Sequence, residues 1–200
     1  PIGPGVGKIK YRTDAREEYI NHAMRAVNVD LTGLKIVVDC AEGASFYTSV
    51  ECLKELGGSV VAIHNNPDGT NINANCGSTH MEELQARVVY EKADVGLAFD
   101  GDGDRLGVVT KEGNIIYPDR QMMLYAADIL SKNPRAKIIY DVKSSRLLGK
   151  WIKEQNGEAI MCRTGHSYVK AKIKETGALL AGEIEGGVQG GDCRDGRRIL

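Results

Sequence analysis

One short apolar run occurs twice in this chain, and it limits the fold more than any other feature. Lys35-Ile36-Val37-Val38-Asp39 returns as Lys137-Ile138-Ile139-Tyr140-Asp141. Runs of this length without polar alternation suit a strand covered on both faces, as in a parallel sheet. Behind each comes a helix-like stretch and a second strand: residues 47–56 and 59–63 in the first unit, 145–155 and 158–162 in the second. Gly57-Gly58 and Asn156-Gly157 stand at the helix ends, where residues tolerant of a left-handed backbone close the last turn. A further helix and a third strand complete each unit, at 81–91 and 95–100, then at 167–176 and 179–183. Such alternation implies right-handed βαβ units. The expected fold class is α/β: two tandem three-layer α/β domains with mainly parallel sheets, spanning residues 1–113 and 114–200.

Leu106 to Thr110 and residues 115–117 read as a hairpin around Lys111-Glu112-Gly113-Asn114, just where the two units join. Residues 1–29 read as a leading segment with one helix at 15–26, capped by Asp14. Residues 186–200 show no periodicity and read as loop.

Composition removes several classes of function. A formal net charge of -1 gives no general attraction to nucleic acid or anionic membrane, so any phosphate binding must be local. No apolar run approaches the ~20 residues that span a bilayer, and residues 1–7 do not resemble a secretion signal. The expected location is cytoplasmic, with neither nucleic acid nor membrane as partner. Five scattered cysteines without a Cys-x-x-Cys pair signal neither a disulfide scaffold nor a zinc motif, and Cys40 and Cys162 end apolar runs as core residues do. The 24 glycines exceed the ~7% usual share, and many fall at strand ends, where backbones turn sharply or approach ligands.

In open parallel sheets ligands bind beyond the carboxyl ends of strands. After the third strand of the first unit stands Asp100-Gly101-Asp102-Gly103-Asp104-Arg105, three carboxylates at alternate positions. The intervening glycines permit a tight backbone on which all three converge, and oxygen-only ligation of this kind suits Mg2+ beside a substrate phosphate. An EF-hand calcium loop also opens with alternate acidic residues. Counted from Asp100, however, Arg105 falls where that loop needs glycine and Lys111 where it needs a bidentate glutamate. A solvated acidic turn would place three like charges together without a cation to offset their repulsion.

The stretch from Gly96 to Arg105 resembles the metal loop of the α-D-phosphohexomutases, the family of phosphoglucomutase, phosphomannomutase and phosphoglucosamine mutase. Asp39-Cys40-Ala41-Glu42-Gly43-Ala44 resembles the first strand-to-helix turn of that family's second domain. Asp141-Val142-Lys143, Thr164-Gly165-His166-Ser167 and Gly182-Glu183 resemble strand-end loops of its third. The resemblance implies Mg2+-dependent transfer of a phosphoryl group between O1 and O6 of a hexose or hexosamine phosphate, through a phosphoserine enzyme and a sugar bisphosphate. It implies metal ligation by Asp100, Asp102 and Asp104, phosphate stabilisation by Arg105, acid–base chemistry by Lys143, and sugar contacts by His166 and Glu183. Residue chemistry is compatible with each role: a forked guanidinium grips phosphate, and a lysine of lowered pKa exchanges protons with a hydroxyl.

The chain departs from the family pattern in three ways. No Thr-Ala-Ser-His-Asn-Pro-like segment is present, so the phosphoserine domain and the fourth domain are expected to be missing partners of the same protein, and the isolated chain is expected to be inactive. The family's Gly-Glu-x-Ser-Gly-His loop reads Gly182-Glu183-Ile184-Glu185-Gly186-Gly187. Residues 71–80 resemble phosphoglucosamine mutases, whereas 116–120 and 164–167 resemble the phosphomannomutase/phosphoglucomutase branch. A non-catalytic or structural module that binds metal and sugar phosphate remains a second reading. A Rossmann-type nucleotide binder is disfavoured, because no Gly-x-Gly-x-x-Gly follows either first strand.

Overall fold

The structure, a computed structural model, describes residues 7–27, 29–184 and 188–190. Its elements run α1 (Ala15–Ala26), β1 (Lys35–Asp39), α2 (Thr48–Glu55), β2 (Ser59–Ile63), α3 (Glu82–Glu91), β3 (Val95–Phe99), β4 (Leu106–Thr110) and β5 (Ile115–Ile116), then α4 (Pro118–Lys132), β6 (Lys137–Asp141), α5 (Arg146–Glu154), β7 (Glu158–Cys162), α6 (His166–Thr176), β8 (Leu180–Gly182) and β9 (Val188–Gly190). A turn of 3-10 helix, Ala44–Phe46, precedes α2.

Two sheets result. The first has strand order β2-β1-β3-β4-β5 and the second β7-β6-β8-β9. The repeated runs, β1 and β6, are central strands, each parallel to both of its neighbours. Antiparallel strands extend one edge of each sheet: β4 and β5 in the first, β9 in the second. β5 pairs with β4, so the first sheet reaches to Ile116, three residues past the expected join at 113/114.

Successive residues of β1 and β6 feed opposite layers, which is why these strands are apolar throughout. Ile36 and Val38 pack with Val50 of α2, while Val37 packs with Leu84 and Val88 of α3. In the second sheet Ile138 and Tyr140 face α4 and α5 through Met122, Leu130, Leu148 and Ile152. Ile139 faces Val169 and Ile173 of α6. Helices therefore cover both faces of each sheet, giving two three-layer α/β units. Cutting a fully buried Leu148 back to alanine would cost about 2–5 kcal/mol on this arrangement.

Three details differ from the sequence reading, and the first is that residues 188–190, in a stretch read as loop, form β9 antiparallel to β8. Asp14 does not cap α1: its backbone is already helical, at φ -92 and ψ -6, and its carboxylate is turned to Arg12, with Nε and Nη2 at 3.1 and 3.0 Å. The fifteen-residue α4 is an addition. Its Pro118 starts the helix where a missing N–H costs nothing, and Gln121, Met122, Ala126 and Leu130 form the buried stripe. Among the described residues no helix is long and apolar enough to cross a membrane.

Candidate active site and metal loop

Residues 100–105 are the turn between antiparallel β3 and β4, whose last pair is Phe99 opposite Leu106. Within the turn Asp100 Oδ1 accepts from the Arg105 backbone N–H at 3.0 Å, and the Asp100 carbonyl accepts from Gly103 N–H at 3.1 Å. Gly103 sits at φ +77, a conformation that a side chain disfavours. The outcome is the expected convergence: one carboxylate oxygen from each of Asp100, Asp102 and Asp104 lies within 4.8 Å of the others. The Asp104 carboxyl is held above its ordinary range, first by loss of water and then by the charges of Asp100 and Asp102. The donor set fits a hard divalent cation, since three converging carboxylates and exposed room for water are what Mg2+ takes. Arg105 Nε lies 3.5 Å from Asp100 Oδ2 and 3.8 Å from Asp104 Oδ1, so the loop orients the guanidinium as well.

The loop rests on backbone from the end of β1. Gly101 carbonyl oxygen accepts from Ala44 N–H at 2.8 Å, and a Cβ on Gly43 would stand 2.7 Å from Gly101 Cα. Asp39, wholly buried at the end of β1, accepts from Ala41 N–H at 2.8 Å and from Gly77 N–H at 2.9 Å. Asp141 does the same work in the second sheet. It accepts from Ser144 N–H and Oγ at 3.0 and 2.7 Å, and from Thr164 Oγ1 at 3.2 Å. Two strand-end loops are thereby fixed to one buried carboxylate. Glu183 accepts from the Gly165 N–H and so joins the end of β8 to the start of α6.

A cavity of about 510 Å³ opens between the two sheets. Asp104 and Arg105 line it from the first, Ser144 and Glu183 from the second, and Tyr117 and Gln121 from the connection between them. Of the residues singled out by sequence, the structure thus gathers Asp104, Arg105 and Glu183 at one cavity, while Asp100 and Asp102 cluster with Asp104 in the loop without lining it. Lys143 and His166 are exposed and do not line it. They are neighbours in sequence of groups at the site: Lys143 precedes Ser144, and His166 follows Gly165. Glu185 and Gly187, where the sequence departs from the family loop, lie outside the described residues.

Ser78, Tyr117 and Gln121 also line the cavity; the first two fall in the segments that resemble the family and none was given a role from sequence. Gln121 is buried and donates through Nε2 to the Ile116 carbonyl at 2.8 Å, which ties α4 to the hairpin. A glutamine next to Met122, where Ala126 and Leu130 follow at helical spacing, was the available signal.

Residues 17–113 match the family model described as phosphoglucomutase/phosphomannomutase, alpha/beta/alpha domain II. Residues 117–197 match that of domain III. The chain is 48% identical over 176 residues to a phosphoglucomutase of Neisseria meningitidis serogroup A, covering 86% of this chain and 38% of that protein. It is 42% identical over 188 residues to a phosphoglucosamine mutase of Desulforamulus reducens, covering 93% of this chain and 42% of that one. Among solved structures, a phosphoglucomutase/phosphomannomutase family protein from Burkholderia thailandensis superposes with a TM-score of 0.79 at 45% identity, over 88% of this chain and 39% of that chain. This chain therefore spans about two-fifths of the length of the relatives it matches. Two consecutive domain matches cover most of its residues, and the chain belongs to the phosphoglucomutase/phosphomannomutase family.

Proposed function

We propose that this chain supplies the metal loop and one sugar-facing wall of a phosphohexomutase, an isomerase that moves a phosphoryl group between O1 and O6 of a hexose or hexosamine phosphate through a phosphoserine enzyme and a sugar bisphosphate. The observation that carries the reading is the shared cavity, which has Asp104 and Arg105 on one side and Glu183 on the other. A sugar phosphate needs that polarity: cation and guanidinium for its phosphate, carboxylate for its hydroxyls.

Asp100, Asp102 and Asp104 would hold Mg2+, with Asp100 also fixing the turn. When bound, the ion offsets negative charge on the phosphoryl group in transfer. Arg105, oriented through Nε by Asp100 and Asp104, would present its terminal nitrogens to phosphate oxygens as a fork. Glu183, held by Gly165 N–H, keeps lone pairs with which to accept from sugar hydroxyls. Lys143 would exchange a proton with the reacting hydroxyl, and His166 at the start of α6 would donate to the sugar or its phosphate. Both act from the rim, so their roles require substrate to extend beyond the described cavity.

The phosphoserine and the phosphate-binding loop of the fourth domain would come from other parts of the same protein. The chain alone should therefore convert no hexose 1-phosphate to 6-phosphate, even with a sugar bisphosphate present. Exchanged for the matching segment of the Neisseria phosphoglucomutase, it should support turnover that Asp100→Asn abolishes. Turnover by the chain alone that Asp100→Asn removes, or a folded chimera with no turnover, would contradict the proposal.

A further inference from the structure

A second set of metal-ligating side chains lies on the first sheet, outside the cavity. Asp39 ends β1, His64 directly follows β2, and Cys76 lies on the segment that returns before α3. One oxygen, one ring nitrogen and the sulfur of these residues lie within 4.8 Å of one another. Asp39 and Cys76 are wholly buried, and the His64 side chain is 19% exposed.

The imidazole is held as a ligand would be. Its Nε2 lies 3.1 Å from Glu83 Oε2, so the tautomer with its proton on Nε2 donates to that carboxylate. In that tautomer Nδ1 carries a lone pair. That atom is buried without a hydrogen-bond partner, although Asp39 Oδ2 lies 3.1 Å away: the distance is short but the alignment is not that of a hydrogen bond. Two acceptor atoms facing each other inside the protein are costly unless a positive centre lies between them. Asp39 Oδ2 accepts one bond, from Gly77 N–H, and keeps a second lone pair. The same 3.1 Å separation subtends about 95–100° at an ion ~2.0–2.1 Å from each atom, which is near a tetrahedral angle.

We propose that Asp39, His64 and Cys76 form a binding site for Zn2+ or a similar borderline-soft divalent cation, separate from the hard-cation loop at Asp100, Asp102 and Asp104. Oxygen, imidazole nitrogen and thiolate sulfur together select this class of ion over Mg2+. Water takes the fourth position and enters past His64, the one member of the three that is not wholly buried. Glu83 is the outer carboxylate that fixes the ring for ligation. Each ligand gives a lone pair to the ion, the S–H bond of Cys76 breaks, and its proton leaves to solvent. Bound there, the ion would tie the Cys76 segment to the end of β1, beside the Ser78 N–H bond to the Phe99 carbonyl at 2.9 Å.

Cobalt(II), added to the metal-free chain, is the probe. One equivalent should produce the near-ultraviolet absorption of a thiolate-to-cobalt bond, and Zn2+ should displace it while excess Mg2+ should not. The band should persist in Asp102→Asn and in Cys52→Ser, and vanish in Cys76→Ser. His64→Asn should weaken cobalt affinity at least tenfold, asparagine being tolerant of the φ of +47 at this position. Absence of the band from the wild-type chain, or its loss in Asp102→Asn, would overturn the proposal. Should Cys76→Ser fail to fold, X-ray absorption of the zinc-loaded wild-type chain decides: one sulfur among nitrogen and oxygen ligands supports the site, and ligation by nitrogen and oxygen alone overturns it.

Discussion

Asp100 Oδ1 accepts a hydrogen bond from the backbone N–H of Arg105 at 3.0 Å, so the first carboxylate of the acidic loop also closes it. Asp100 is for this reason both a ligand candidate and a turn residue, and substitution there changes two things at once. Asp102 is exposed and shares in the carboxylate cluster, which makes it the cleaner probe.

Asp102→Asn should weaken Mn2+ or Mg2+ binding to the chain about tenfold or more, a loss of at least ~1.4 kcal/mol. Its urea midpoint should stay close to that of the wild type, because no strand or core contact depends on Asp102. Titration followed by electron paramagnetic resonance of free Mn2+ reads the affinity. Equal affinity in the two proteins would remove the cation from this loop.

Gly43→Ala tests whether the metal loop depends on the backbone beneath it. The new Cβ would collide with the Gly101 carbonyl oxygen and stand 2.7 Å from Gly101 Cα, and neither atom can swing away as a side chain would. Stability should fall by about 1–3 kcal/mol, as overpacking does elsewhere. Mn2+ affinity should fall with it, although no ligand has been altered. A variant with wild-type midpoint and wild-type affinity would show that the two loops move independently.

The pair that joins the start of β1 to the end of α3 should make stability depend on acid. Lys35 Nζ lies 2.7 Å from Glu91 Oε2 and also donates to the Glu91 carbonyl at 2.8 Å. The Lys35 hydrogen bond holds the Glu91 carboxyl below its ordinary 4.5, with the charges of Lys35 and Arg87 adding to it. A carboxyl depressed in the folded state stabilises fully above its unfolded pKa and less as pH falls through the folded one. The midpoint difference between wild type and Glu91→Gln should therefore be constant from neutral pH to about pH 5 and close at more acidic pH. A difference that persists unchanged into acid would mean that the charge contributes nothing.

The repeated runs were legible because both faces of β1 and β6 are covered, which leaves no polar alternation to confuse with a helix. The acidic turn was legible for a different reason: Asp100, Asp102 and Asp104 are local, and six consecutive residues contain the whole arrangement. α4 was not legible as a helix, although Met122, Ala126 and Leu130 recur at helical spacing, because a proline just past the join between units suits a linker as well as a helix start. The cavity could not be read. Arg105 and Glu183 belong to different sheets, and only the path of the chain through α4 brings them to one space. Asp39 and Asp141 were visible as strand ends, but a carboxylate buried to hold loop N–H groups has the same sequence signature as one exposed in a turn.

Phosphorus NMR of glucose 6-phosphate tests most directly whether the metal loop and the second sheet serve one phosphorylated sugar. Mn2+ bound at the loop should speed relaxation of the sugar's phosphorus well beyond the effect of free Mn2+ if ion and phosphate share, as proposed, the cavity that Asp104 and Glu183 line. The excess should disappear in Asp102→Asn and shrink in Glu183→Gln. Bound Mn2+ with no excess relaxation, or an excess that survives Asp102→Asn, would contradict the account.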